Sequence, residues 1–172
     1  MRPALAPACL ATIAVADHVI RRRRPPWIVA GMFDHPAHLA TAGLLLLNLP
    51  ARPPAWTAGF LAGSLLPDVD HVPLALRKQQ PRLDDARPFS HCLAAVIPVA
   101  VLAALTRSEA LAGATAGSVA HFARDLGVGT GVPLLWPASG HSVRVPYRAY
   151  AAACALLAVA ALRKRANLRH GL

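Results

Sequence analysis

Apolar stretches rich in alanine and leucine, separated by cations, dominate this sequence. They cover residues 37–49, 55–66, 92–105, 149–162 and the more polar 110–126. Alanine and leucine are strong helix formers, and no useful length of chain shows the alternation that predicts a strand. A helix needs about 20 residues to cross a bilayer. Each uncharged core is shorter than this, and reaches it only if a histidine or aspartate near one end is included. The pattern predicts an all-α fold, a small integral-membrane bundle of about four or five membrane-associated helices.

The charge balance supports a membrane partner. Hydrophobic residues make up 55% of the 172 residues and charged residues 15%, whereas soluble domains carry about 25% charged residues. Lysine and arginine number 18 against 8 acids, and most lie between apolar stretches, as the positive-inside rule places them. The high apolar content argues against disorder, and an aromatic fraction of 5% argues against a nucleic-acid surface. We expect a multi-pass protein of a cell membrane, in contact with its lipids.

Residues 1–31 are predicted to form an N-terminal extension. An uncharged run over 4–16 precedes Asp17 and an arginine block over 21–24, which reverses the charge order of a secretory signal. The block is expected to mark topology or to contact anionic lipid. A translation start at Met32 is one hypothesis for this extension, and residues 32–172 are predicted to form a single membrane-embedded domain.

Cysteines and glycines carry weaker signals. The three cysteines are dispersed and form no CxxC pair, so we expect buried thiols and not a disulfide framework or a thiolate metal site: Cys9, Cys92 and Cys154. Two GxxxG spacings allow helices to approach closely, although such spacings arise often by chance: Gly59 with Gly63, and Gly113 with Gly117. Residues 127–140 are rich in glycine and proline and are predicted to be irregular.

Acidic residues are scarce and lie beside histidines. Of seven aspartates, five have a histidine within four positions. His121 and Asp125 are four apart and therefore project from one face of a helix. His38 and His91 each begin an apolar stretch, and residues 67–71 read Pro-Asp-Val-Asp-His. Ionisable groups inside a membrane cost about 2.5–3.5 kcal/mol each and are functional by default.

These histidines and aspartates predict a metal site. Imidazole and carboxylate together suit Zn²⁺ first, with Mn²⁺ or Fe²⁺ as alternatives. The set exceeds what one tetrahedral ion needs, so it allows two ions, or one ion whose imidazoles are oriented by carboxylates. Each of these motifs has an ordinary alternative explanation. His38 or His91 could be an interfacial histidine, residues 67–71 could form a helix cap, and His121 with Asp125 could form an i,i+4 hydrogen bond. The predicted ligands are His38, Asp68, Asp70, His71, His91, His121 and Asp125.

The order of these motifs resembles a known family. The succession runs His38, LPDVDH over 66–71, RPFSH over 87–91, HFARD over 121–125 and GVPLLWP over 131–137. It resembles the membrane-bound metal-dependent hydrolases, the YdjM-like group also called LexA-binding inner-membrane-associated hydrolases, over about residues 32–140. The sequence departs from that family's pattern at five positions, the first of which replaces a histidine: Ala86, Pro88, Ser90, Cys92 and Val128.

The resemblance implies metal-assisted hydrolysis of a phosphodiester or a lipid-like ester. Asp70, or Asp68, is expected to act as general base. Arg87, or Arg124, is expected to hold a phosphate or a developing oxyanion, with a topology or interface charge as the alternative for both. A water activated by the ion is preferred to Ser90 as nucleophile, because no base can be assigned to that hydroxyl. Four histidines remain unassigned: His18, His35, His141 and His170.

The competing interpretation is a non-catalytic metal-binding membrane protein. Buried histidine and aspartate could hold a structural ion in an anchor or regulator, or form a cation or proton pathway. Transporters tend to show repeated halves with broken helices, and the sequence shows no such repeat. Structural sites are coordinatively closed, whereas catalytic sites keep an open position.

Overall fold

The computed structural model describes residues 4–71 and 90–170, without the side chains of Trp27, Asp70 and residues 168–170. This part of the chain forms six α-helices and one 3-10 turn, and its β pairing is a single bridge between Val132 and Val143. The all-α prediction is therefore confirmed for the described residues. The helices are α1 (Leu5–Arg23), α2 (Trp27–Asn48), α3 (Pro54–Gly63), α4 (Leu93–Thr106), α5 (Glu109–Gly127) and α6 (Tyr147–His170), and the turn spans Leu66–Asp70.

The helices extend beyond the apolar stretches that predict them. α2 begins at Trp27, after Pro26, and so includes Asp34 in its first half and His38 near its middle. α6 continues through the cationic block over 163–169. Among the described residues, no helix is both long enough and apolar enough to cross a membrane.

Glycines bring α3 and α5 into direct main-chain contact. A methyl group added at Gly59 or Gly63 would overlap a carbonyl of α5, and one added at Gly113 or Gly117 would overlap a carbonyl of α3. The two GxxxG spacings thus face each other in one interface. The interface fixes the end of α3, where the Ser64 carbonyl meets the side chain of His121.

α1 and α6 pack on the other side of the bundle. Ile13 of α1, Leu44 of α2 and the α6 residues Tyr150, Cys154 and Ala158 belong to one buried cluster. Small side chains predominate at these contacts, so the helices lie close together. Cys92 and Cys154 are buried, as expected, whereas Cys9 is half-buried, and the three cysteines form no disulfide.

The expected boundary at residue 32 falls inside α2. That helix runs without interruption from Trp27 to Asn48, and α1 contributes Asp17 to the buried interior. The division of the chain at this position stays a prediction.

Replacing Gly117 with alanine tests the main-chain contact between α3 and α5. The new methyl group would overlap the Phe60 carbonyl, so the helices must separate, and we expect a loss of about 1–3 kcal/mol in the free energy of unfolding. Chemical denaturation measures this loss. Gly31→Ala in α2 is the control, because its methyl group would lie 3.9 Å from the nearest side-chain atom. Equal stabilities of the two variants would contradict the close interface.

Candidate metal centre

Four segments of the chain place histidines and aspartates in one buried cluster. α2 supplies Asp34 and His38, the 3-10 turn supplies Asp68, and α5 supplies His121 and Asp125. Each helical pair has i,i+4 spacing and therefore lies on one helix face. His91 enters from the residues just before α4.

Two imidazoles and two carboxylates have the separations of donors that share one ion. The Nε2 atoms of His91 and His121 are 3.2 Å apart. They lie 3.4 and 3.6 Å from Asp68 Oδ1, and 3.4 and 3.0 Å from Asp125 Oδ2. Donors on a tetrahedron around zinc, with bonds of about 2.0–2.1 Å, are about 3.3–3.4 Å apart. The residues present therefore fit a divalent ion.

The hydrogen bonds of both imidazoles turn their Nε2 lone pairs toward the cluster. His121 donates from Nδ1 to the Ser64 carbonyl, at 2.8 Å. The Ser90 hydroxyl donates to the Pro67 carbonyl at 3.0 Å, so it accepts from His91 Nδ1, also at 3.0 Å. A hydroxyl has one hydrogen to donate. Two nitrogen lone pairs this close repel each other unless a proton or a metal ion lies between them. A hydrogen bond from Nδ1 to an oxygen is typical of histidines that bind metal ions through Nε2.

His38 is a buried imidazole without hydrogen bonds among the described residues. Its ring stacks on that of His121, with centroids 3.8 Å apart and planes inclined by 5°, and neither of its nitrogens has a hydrogen-bond partner there. Carboxylate oxygens of Asp34, Asp68 and Asp125 lie 3.7, 3.9 and 3.6 Å from its Nε2. Since a buried polar atom without a partner costs free energy, the arrangement favours a ligand between these groups.

Burial and the neighbouring charges act in opposite directions on the ionisation of these side chains. Burial lowers the pKa of His38, and the charge of His121 lowers it further, so its imidazole is neutral at pH 7. Burial acts to raise the pKa of Asp68, but its interactions with His91 and the charge of His121 outweigh burial and lower that pKa, which favours the ionised carboxyl. Burial opposes protonation of His121, and Asp125 outweighs it, raising the pKa of His121. Neutral imidazole and carboxylate are the forms that coordinate metal ions.

A buried arginine lies behind the cluster. Arg124, with an exposed fraction of 0%, donates from Nε and Nη2 to Asp34 Oδ1 at 3.0 and 2.7 Å. Its Nη1 lies 2.9 Å from Asp17 Oδ1 and 3.1 Å from Tyr150 Oη. Burial acts against the charge on Asp34, but Arg124 and His38 hold the pKa of its carboxyl well below the usual range. Both roles expected for Arg124 are wrong, because a guanidinium engaged inside the bundle can neither bind a substrate phosphate nor mark topology.

Comparison with known proteins places the chain in a family. Residues 31–171 match the family described as YdjM inner membrane protein. The chain belongs to the YdjM inner membrane protein family. No curated protein and no solved structure matches it. The resemblance seen in the motifs is therefore confirmed, and the match assigns the protein to a family of the inner membrane.

The cluster of this YdjM-family protein contains most of the predicted ligands. Two overlapping groups could each hold a metal ion: His38 with Asp68 and His121, and His91 with His121 and Asp125. His71 lies at the edge, with Nδ1 3.7 Å from Asp68 Oδ1 and a side chain 23% exposed. The main chain of Asp70 ends the 3-10 turn, and its side chain lies outside the described part, as does the whole of Arg87.

Sequence reasoning missed the position of Asp34 and His35. Asp34 lies beside His38 and Arg124, and its i,i+4 spacing to His38 repeats the spacing of His121 and Asp125, which was a usable signal. His35 Nε2 lies 3.5 Å from Asp68 Oδ2, and its side chain is 52% exposed. His141, a further candidate, is exposed, and its main-chain N–H donates to the Ser139 hydroxyl.

Replacing Arg124 with methionine tests its structural role. Methionine would leave Asp17 and Asp34 buried without their cation, and breaking a buried ion pair in this way costs about 3–5 kcal/mol. We expect a correspondingly large fall in the free energy of unfolding, measured by chemical denaturation. Arg148→Met on the exposed side of α6 is the control, and a loss no larger than that of the control would contradict the role.

Proposed function

We propose that this YdjM-family protein is a metal-dependent hydrolase that acts on a phosphodiester or a lipid-like ester at the inner membrane. The observation that carries the proposal is the pair of Nε2 atoms of His91 and His121, 3.2 Å apart, with carboxylate oxygens of Asp68 and Asp125 at 3.0–3.6 Å from both. The donor set suits zinc best, with manganese or iron as alternatives.

His91, His121, Asp68 and Asp125 would hold the ion. A bound divalent ion supplies Lewis acidity at the scissile bond and lowers the pKa of a water that it holds toward about 7. Ser64 and Ser90 orient the imidazoles through their Nδ1 atoms. This orientation keeps both Nε2 atoms in the geometry that binding requires.

The cluster opens to solvent on the side of Asp68. The side chain of Asp68 is 9% exposed, whereas those of His91 and His121 are fully buried. His35 and His71 flank this opening and are partly exposed. Substrate would approach here, and we propose either imidazole as the proton donor to a leaving group.

Two further roles stay predictions from the sequence. Asp70 follows Asp68 by two positions and ends the 3-10 turn, and it is proposed as the general base. Arg87 is proposed to contact a substrate phosphate. A bidentate guanidinium contact would orient the phosphate and stabilise developing negative charge.

The alternative is a structural metal site in a non-catalytic protein, such as an anchor, a regulator or a cation or proton pathway. It is favoured by the deep burial of His38, His91, His121 and Asp125. Closed sites with four protein ligands are typical of structural zinc. Metal content and turnover must therefore be measured separately.

Metal content tests the donor set. His121→Ala removes a donor from the cluster, and we expect the bound metal per chain to fall at least about tenfold, since even changes to supporting residues weaken metal affinity by about 10–100-fold. Elemental analysis of the purified protein measures it. His141→Ala, an exposed histidine away from the cluster, is the control. Unchanged metal content in His121→Ala would refute the proposed ligands.

Turnover tests the enzyme. We expect the metal-loaded protein to hydrolyse a chromogenic phosphodiester or a phospholipid in mixed micelles, and His121→Ala to lose on the order of 100-fold or more of that rate, because metal assistance contributes several kcal/mol. His141→Ala again serves as the control. A protein that binds metal but hydrolyses no phospho- or acyl ester would overturn the catalytic proposal and support the structural alternative.

A further inference from the structure

Asp68 and Asp125 present different oxygens to two sides of the cluster. Asp68 Oδ1 and Asp125 Oδ2 face the Nε2 atoms of His91 and His121, at 3.0–3.6 Å. The other oxygens, Asp68 Oδ2 and Asp125 Oδ1, face His38 Nε2 at 3.9 and 3.6 Å. Carboxylates that expose both oxygens to two groups of donors can bridge two ions.

The side that faces His38 forms a donor group of its own. Three carboxylate oxygens surround His38 Nε2: those of Asp34, Asp68 and Asp125, at 3.7, 3.9 and 3.6 Å. These separations are too long for hydrogen bonds. Each is shorter than about 4.2 Å, the largest separation of two donors bound to one ion by bonds of about 2.1 Å, so each of these oxygens is close enough to His38 Nε2 to share an ion with it. An ion among these groups would give the buried ring of His38 the partner that it otherwise lacks.

Arg124 orients the carboxylate of Asp34 so that its second oxygen faces His38. Arg124 takes Asp34 Oδ1 through two donors, and Oδ2 faces His38. Asp17 and Tyr150 fix the opposite edge of the guanidinium. Partners of this kind orient the carboxylate ligands of metal ions and are as important as the ligands themselves.

The buried charges can accommodate a second cation. Four aspartates lie around the site among the described residues, and Arg124 is the buried cation that faces them: Asp17, Asp34, Asp68 and Asp125. With neutral histidines, one divalent ion would leave a single net negative charge inside the bundle, and two ions would leave a single net positive charge. Since uncompensated buried charge is costly, two ions suit the site when an anionic substrate group balances that positive charge.

We infer that the cluster holds two divalent ions, the second bound by Asp34, His38 and the outer oxygens of Asp68 and Asp125. This inference rests on the proposed metal centre and adds Asp34 to its ligands. A pair of ions held by these residues would supply charge stabilisation to both the attacking and the leaving oxygen of an in-line displacement. Within the proposed function, the substrate class that we infer is a phosphate ester.

Metal stoichiometry tests the inference independently of activity. Titration of the full-length, metal-free protein with Mn²⁺, followed by elemental analysis and by the electron paramagnetic resonance signature of a coupled pair, should give two ions per chain. Asp34→Asn and His38→Leu should each bind one ion and lose the coupled signal. Asp17→Asn is the matched control, because it also removes a buried charge from Arg124 but leaves both donor groups intact, and it should bind two.

The outcomes separate this inference from the proposed function. One ion per chain in the unsubstituted protein would overturn the second site and leave the hydrolase proposal standing, whereas no bound ion would overturn both. If Asp34→Asn fails to fold after losing its charge beside Arg124, His38→Leu decides, since His38 makes none of the contacts to that guanidinium. Two ions in folded His38→Leu would refute the assignment of the second site.

Discussion

Arg124 joins four helices through charged contacts at the centre of the bundle. It belongs to α5, and its partners Asp17, Asp34 and Tyr150 belong to α1, α2 and α6. A guanidinium with no exposure to water is stable only when its donors are paired. The relative positions of these helices therefore depend on it, and so does the orientation of Asp34 toward His38. Apolar packing alone, with mostly small side chains, would define these positions less sharply.

The metal centre lies between this charged network and the glycine interface. Arg124 and Asp125 are neighbours on α5, so one helix carries both the structural cation and a candidate ligand. On the other side, direct contact of the main chains of α3 and α5 sets the distance from the Ser64 carbonyl to His121. The geometry of the ligands is thus fixed by hydrogen bonds from two directions. Such support is what a metal site requires, because small displacements of donors weaken binding.

Local patterns were sufficient to predict the helical class and most of the cluster. Alanine and leucine composition predicts the helices, and four-residue spacing predicts that His121 and Asp125 share a face. The assignment of Arg124 required tertiary information, since a cation beside an aspartate in an apolar helix has the same sequence pattern at a surface and in a core. Asp34 was missed because it precedes the apolar stretch 37–49, and α2 begins ten residues before that stretch, at Trp27. Its four-residue spacing to His38 was the signal that could have placed it on the same helix face.

The wide separation of Arg124 from its partners in the sequence has a consequence for assembly. Asp17 and Asp34 leave the ribosome well before α5, and 90 positions separate Asp34 from Arg124. Until that arginine arrives, both carboxylates need water or protons to avoid an uncompensated charge, so α1 and α2 cannot adopt their final burial on their own. Bundle closure is therefore a late and cooperative event, in which the arrival of a single helix neutralises the interior and completes the ligand set at the same time.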